Sequence, residues 1–374
     1  LELIDREMQL VRSHFSSERL VDQLHLGGGT PTFLTPAELE KLWQYIRNYF
    51  SFTETAEISI ELDPRETTPE HVSTLRELGF NRASMGIQDL DLEVQKAINR
   101  IQGDAENLQL YRNLRDAGFQ GINFDLIYGL PRQTRESFDR TLSRVIELRP
   151  DRISLFNFAF VPWLKKHQRL IQADELPATE ERVRIFYLAV ERFLNAGYVY
   201  IGMDHFALPD DEIVLAQKEG TLRRNFQGYT TRRGLDLIGL GVTSIGEVAD
   251  GYIQNHKTLL EYRRAVEASR LPVHRGLLKS ADDCLRSDII MDLICHFKLT
   301  FARIEETHGV DFCRTFGREL EALEPFIREG FVERTDNGLT VTETGRFVIR
   351  NICMVFDAYL GKMEQGGQRF SKTV

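Results

Sequence analysis

The sequence has 374 residues, 42% hydrophobic and 28% charged, and its 47 Lys and Arg against 56 Asp and Glu give a net charge of −9. Such a composition excludes disorder. The acidic balance disfavours a broad phosphate-backbone surface, which needs clustered Lys and Arg. No apolar run approaches the ~20 residues of a membrane span and no secretory signal opens the chain, so a soluble, cytoplasmic protein is expected.

In chain order, the first residue is Leu rather than Met, and Ile4, Met8, Val11 and Phe15 share one face of an opening helix. The chain reads as a piece whose true beginning lies upstream. Next comes a strand, Val21–Leu26, running into His25-Leu26-Gly27-Gly28-Gly29-Thr30-Pro31 and a helix signal at Thr35-Pro36-Ala37-Glu38-Leu39. Three glycines expose bare amides and carbonyls, and the following helix adds the positive end of its dipole. The segment is either an anion- or carboxylate-binding turn or a tight βα turn without a ligand.

Further strands are expected at Glu57–Leu62, Arg82–Gln88, Ile122–Tyr128 and Arg152–Phe158. Helices are expected at Pro36–Phe50, Pro69–Leu78, Glu106–Ala117 and Arg135–Leu148. Strands alternating with helices argue for parallel βα units, here five strands of a six-stranded array that lacks its first. In such barrels chemistry collects at the C-terminal strand edge. Those edges carry Gly27–Thr30, Glu61-Leu62-Asp63-Pro64, Gly86-Ile87-Gln88-Asp89, Asp125–Pro131 and Asn157-Phe158-Ala159. Each alone is a capping or turn residue; five at one mouth argue for a site. Glu61 and Asp125 suit either acid/base work or acceptance of hydrogen bonds from ligand amine or hydroxyl groups. Arg100 suits a ligand carboxylate or an ordinary pairing with a helix acid.

Beyond residue 160 a long amphipathic helix, Thr179–Ala196, precedes a strand, Tyr198–Met203. That strand ends in Asp204-His205, either a proton-relay pair or a structural hydrogen bond. Residues 207–250 are rich in Gly, Arg and Thr, notably Asn225–Thr231, and Gly239–Gly246 reads as a loop approaching either a ligand or another backbone. Residues 279–362 read as helix, helix, hairpin, helix, with Ser280 and Asp283 as a cap and Asp336-Asn337-Gly338 as the hairpin turn. The order resembles a winged helix. However, 11 Lys and Arg against 15 Asp and Glu over that span argue for a lid or packing module rather than DNA binding. Cys284, Cys295, Cys313 and Cys353 form no Cys-x-x-Cys pair and read as small buried hydrophobes in a reducing compartment.

From Leu24 onward the chain resembles the bacterial oxygen-independent coproporphyrinogen III oxidases, radical S-adenosylmethionine (SAM) enzymes. The likeness lies at His25–Pro31, Ile58–Arg65, Ser84–Asp89, Asp125–Pro131, Gly202–Ala207, Asn225–Thr231 and Arg350–Leu360. It implies an α/β fold, a three-quarter (β/α)6 barrel here missing its first strand, with a mostly helical C-terminal domain carrying the winged-helix-like hairpin. Three divisions follow: barrel and sheet extension at 1–206, a loop-rich connection closing the site at 207–278, and the helical domain at 279–374. The implied reaction turns two propionates of coproporphyrinogen III into vinyls, giving protoporphyrinogen IX, by a 5′-deoxyadenosyl radical generated from SAM at a [4Fe-4S] cluster. By position, Gly28, Glu61 and Ile245 match contacts to the cluster-bound SAM. Gly29, Thr30, Gln88, Arg100, Asp125 and Ala159 match contacts to a second SAM. Implied partners are the tetrapyrrole and a small electron-donor protein or reductase, with a monomeric chain and neither nucleic acid nor membrane.

One departure matters. The family holds its cluster with Cys-x3-Cys-x2-Cys after the first strand, and here no cysteine precedes Cys284. The chain is therefore expected to be a fragment, inactive alone. Two rivals remain. A haem-binding chaperone of the same superfamily is expected to carry His-Asn-x-x-Tyr-Trp, where this chain has Asn225-Phe226-Gln227-Gly228-Tyr229-Thr230. The other is a cluster-free barrel using Glu61 and Asp125.

Overall fold

Alternation with a period of two builds the main sheet. The structure, a computed structural model, describes residues 1–15 and 17–360. Its first seven strands are β1 (Leu20–Leu26), β2 (Ser51–Leu62), β3 (Arg82–Gln88), β4 (Gly121–Tyr128), β5 (Arg152–Asn157), β6 (Val199–Gly202) and β7 (His205–Ala207). They are ordered β1-β2-β3-β4-β5-β7-β6. The pairs β1–β2, β2–β3 and β3–β4 are parallel, and β6–β7 is antiparallel. Ile58, Ile60 and Leu62 on β2, Ala83 and Met85 on β3, and Ile122, Phe124 and Leu126 on β4 are all buried. The residues between them are only partly covered. Register locks the parity, because Ile60 pairs with Ala83 and Ala83 with Ile122.

The chain divides into two compact units: 1–126 with 144–153 and 234–279, and 127–143 with 154–233 and 280 onward. In the first, α1 (Glu2–Ser13), α2 (Pro36–Tyr49), α3 (Pro69–Glu77), α4 (Leu92–Ala97) and α5 (Asp104–Asp116) accompany β1–β3 and most of β4. Thr35 and Glu38 close a capping box on α2, and Thr68 and His71 do the same on α3. Residues 135–148 form α6 (Arg135–Leu148), with the bounds expected from sequence.

The region expected to be loop-rich also holds short strands. Two hairpin strands, β8 (Arg223–Asn225) and β9 (Gly228–Thr230), follow α7 (Thr179–Asn195) and α8 (Glu212–Lys218) in the second unit. In the first unit, β10 (Ile245–Val248), β11 (Gly251–Asn255) and β12 (Val273–Leu278) form an antiparallel sheet, with α9 (Leu259–Glu267) between the last two. These strands are short, and β12 is exposed along its whole length, so no apolar alternation marks them. Helix α1 is fastened in this unit by Glu7. Its buried carboxylate accepts hydrogen bonds from Gly241 N (2.8 Å), Asn255 Nδ2 (2.6 Å) and Tyr262 Oη (2.6 Å). Burial raises the Glu7 pKa, and those three donors oppose the rise only in part.

The C-terminal part of the second unit has its own core: α10 (Ala281–His296) and α11 (Phe301–His308) contribute Leu285, Ile289, Leu293 and Ile304. The Ser280–Asp283 cap and the hairpin of β14 (Val332–Thr335) and β15 (Gly338–Val341) are present as expected. A third strand, β13 (Lys298–Thr300), joins them in the order β13-β15-β14. Residues 361–374 of the expected C-terminal division lie outside the described residues. No helix among the described residues is long and apolar enough to cross a membrane.

Gly338 is required by that third strand, since a Cβ there would collide with the Leu299 carbonyl of β13. Gly338→Ala should destabilise the protein by about 1–3 kcal/mol through overpacking, measured as a lowered urea midpoint.

Candidate functional site

Sheet parity selects which side chains share the half-covered face. His25 pairs with Ser59, Glu61 with Ser84, Ser84 with Asn123, and Gly86 with Asp125. Paired residues on parallel strands point the same way. Hence the polar groups near the C-terminal ends of β1–β4 stand opposite the buried apolar face, all within the first unit.

Three linked groups of side chains occupy this face. Glu61 Oε2 accepts the Gly28 amide at 3.1 Å, and Glu61 Oε1 meets His25 Nε2 at 3.3 Å. His25 Nδ1 in turn pairs with Ser59 Oγ at 2.9 Å. Burial alone would raise the Glu61 pKa, but His25 and the Gly28 amide outweigh it and hold the carboxyl below its ordinary value. Gly28 adopts φ +95°, the left-handed region, and nothing lies within 4 Å of where a Cβ on Gly28 or Gly29 would sit. The loop backbone there is open to a ligand.

Asp125 sits in the second group. Its Oδ2 accepts from Ser84 Oγ at 2.7 Å and its Oδ1 from Asn123 Nδ2 at 2.8 Å. The third group centres on Asp63, a buried carboxylate just past β2. Arg65 donates to it from Nε (3.0 Å), Nη2 (2.7 Å) and the backbone (3.1 Å), and Arg100 donates from Nη1 (3.1 Å). Arg100 Nη2 also donates to the Gly86 carbonyl at 3.1 Å, while its buried Nε has no acceptor among the described residues. A Cβ on Gly86 would lie 2.8 Å from Gln88 Nε2 and 3.1 Å from Arg100 Nη2, so only glycine leaves room for both side chains.

Glu61, Gln88, Arg100 and Asp125 therefore converge on one face. Arg100 pairs with Asp63 rather than with a helix acid. Thr30 precedes a 3-10 turn, Pro31–Phe33, which separates the glycines from α2. The α2 N-terminus is occupied by Thr35 and Glu38, so its dipole end is capped from within. Ile245 opens β10 and pairs with Gln254. Ala159 belongs to the second unit, where its carbonyl accepts from Gln168 Nε2 at 2.9 Å. In that unit the Asp204 carboxylate faces Arg350 at 3.8 Å, while the His205 ring stands edge-on to Tyr229 and Phe156.

His25, Ser59, Asp63, Ser84 and Asn123 were not singled out from the sequence. Each lies an even number of positions from a chosen residue or pairs with one in register, so parity could have found them. Cys295 and Cys353 are buried, and burial pushes each thiol up to about 12. Among the described residues no three His, Cys, Asp or Glu side chains gather as metal ligands.

The Radical SAM superfamily profile matches residues 3–145 and the HemN C-terminal domain profile matches residues 279–348. An oxygen-independent coproporphyrinogen III oxidase of Pseudomonas aeruginosa is 45% identical over 371 residues, covering 99% of this chain and 80% of the relative. The Escherichia coli K12 protein of the same name is 44% identical over 374 residues, covering all of this chain and 81% of its own length. The solved structure of E. coli coproporphyrinogen III oxidase (HemN), described as a radical SAM enzyme, superposes with a TM-score of 0.93 over 96% of this chain and 82% of that one.

Asp63 supplies a test of the third group. Burial would raise its pKa, but hydrogen bonds from Arg65 and the charges of Arg100 and Arg65 hold it below 3.8. Its stabilising contribution is therefore present above pH 3.8 and is lost as the pH falls through the lower folded value. Asp63→Asn should cost about 3 kcal/mol at neutral pH by leaving Arg100 poorly paired. Urea titrations over a pH series should also show a shallower acid loss in the variant than in the wild type.

Proposed function

Because this chain belongs to the oxygen-independent coproporphyrinogen III oxidase family of radical SAM enzymes, we propose that the polar face of β1–β4 is its SAM-binding surface. The reaction is oxidative decarboxylation of coproporphyrinogen III, in which each of two propionates loses carbon dioxide, a hydrogen atom and an electron to become a vinyl group.

One observation carries the assignment to residues: Glu61, Asp125 and the Arg100–Gly86 pair share a face beside the open backbone of Gly28 and Gly29. Glu61, held ionised, and Asp125 are acceptors suited to the ammonium and ribose hydroxyls of SAM. Arg100, pre-aimed by Asp63 and the Gly86 carbonyl, suits its carboxylate. Gly28, Glu61 and Ile245 go to one SAM, and Gly29, Thr30, Gln88, Arg100, Asp125 and Ala159 to a second. When bound with the cluster, SAM supplies the radical that abstracts hydrogen; this chain's residues bind it, orient it and keep water away. A cytoplasmic setting, an electron-donor protein and a monomeric chain belong to the same proposal, as does the division at residues 206 and 278.

None of the four cysteines is assigned to the cluster in this reading, because the sequence holds no Cys-x3-Cys-x2-Cys run. Accordingly, a polypeptide of these 374 residues should bind SAM in equilibrium dialysis. Reconstituted anaerobically with iron and sulfide, it should show no iron–sulfur charge-transfer absorbance and form no protoporphyrinogen. Asp125→Ala and Arg100→Ala should each weaken SAM binding by about tenfold. Fusion to the Cys-x3-Cys-x2-Cys segment of a relative should restore both cluster and turnover. Turnover by the 374 residues without iron would overturn the reading.

A further inference from the structure

We propose that Asp204, on the hairpin between β6 and β7, accepts the pyrrole N–H groups of the tetrapyrrole substrate while Arg350 takes one of its propionates. The inference rests on the oxidase reading above and adds residues that hold the substrate itself, all within the second unit.

The hairpin fixes Asp204 from several sides. Gly202 has φ +135° and Met203 φ +54°, both in the region that favours glycine. Tyr200 Oη donates to the Met203 carbonyl at 2.7 Å, and the Leu155 amide donates to the Asp204 carbonyl at 2.6 Å. A left-handed non-glycine residue persists only where its surroundings over-determine it. Here the outcome is a backbone at Asp204 set in one place.

The Asp204 carboxylate is not used up. Among the described residues no hydrogen-bond donor reaches it, and its ion-pair contact, Arg350 Nη2 at 3.8 Å, exceeds hydrogen-bond length. The Asp204 side chain is 23% exposed and that of Arg350 54%, so both remain reachable. Asp63 differs, being enclosed by Arg65 and Arg100. Burial raises the Asp204 pKa, and Arg350 and Arg224 offset the rise only in part. An ionised carboxylate has about four lone-pair sites, so the group lacks donors rather than space for them.

The surroundings state which donors fit. Tyr128 and Tyr200 lie close enough to Asp204 for its charge to raise both phenol pKa values, beyond the larger effect of their own burial. Tyr200 packs on Phe347 (5.2 Å between ring centres), and Phe347 meets Phe186 edge-on at 5.9 Å. Arg224 lies over the Tyr229 ring at 5.4 Å, its buried Nε without an acceptor among the described residues. An aliphatic ammonium would suit Asp204 but be repelled by the arginines. A simple dicarboxylate would suit the arginines but be repelled by Asp204. A reduced tetrapyrrole satisfies both, with N–H donors turned toward a common centre, flat apolar rings and propionates at the rim.

The test compares two ligands by fluorescence titration of the 374-residue chain under anaerobic conditions. Coproporphyrinogen III carries ring N–H donors; zinc coproporphyrin III has the same propionates and no ring N–H. Asp204→Asn should weaken coproporphyrinogen binding by about tenfold, the loss of one charge-assisted interaction, and leave zinc coproporphyrin binding unchanged. Asp204→Glu should recover part of the loss. Arg350→Gln should weaken both ligands, and SAM affinity should not move in any variant. Equal losses for both ligands in Asp204→Asn would mark a merely structural residue and overturn the inference, as would unchanged coproporphyrinogen affinity. Wild-type protein that binds SAM but neither tetrapyrrole would overturn the oxidase reading together with it.

Discussion

The constraint on which the site depends is the parity lock between β2, β3 and β4. Because Ile60, Ala83 and Ile122 pair across three strands, slipping any of them by one residue would expose an apolar row and bury a polar one. The same lock that seats Ile60 in the core therefore points Glu61, Ser84 and Asp125 the other way. Apolar burial of several kcal/mol per strand thus sets the direction of side chains that contribute little to stability themselves.

Within that frame the polar groups are organised by carboxylates rather than by helix ends. Asp63 is the clearest case, since one buried acid orients two arginines and leaves Arg100 bridging to the Gly86 carbonyl. The N-terminus of α2, which the glycine-rich turn suggested as an anion site, is instead closed by its own Thr35–Glu38 box. The electrostatics of this face then rest on side chains fixed by other side chains, which keeps their geometry in place without a ligand.

Much of this was legible in the sequence, and the exceptions have physical causes. Arg82–Gln88 and Arg135–Leu148 were bounded correctly because alternation or helical periodicity ran to their ends. The first six residues of β2 escaped notice because none except Ala56 is buried, so no apolar rhythm marks Ser51–Thr55. Helix α4 is six residues long, too short for its period to show, and β10–β12 are short antiparallel strands of which β12 is exposed throughout. At the site, the strand tips could be read from Glu61 and Asp125, but the partner of Arg100 could not. Asp63 lies 37 residues earlier, and nothing local marks the pair.

The Glu7 anchor bears on how the chain is made. Its donors at Gly241, Asn255 and Tyr262 lie 234, 248 and 255 positions downstream. On a translating ribosome, α1 emerges long before any of them exists, and closing so large a loop carries an entropy penalty that only the finished contact offsets. Until residue 262 has been synthesised the Glu7 anchor is incomplete, although α1 can already pack against α2. The first unit is thus completed late, around a segment encoded after about half of the second.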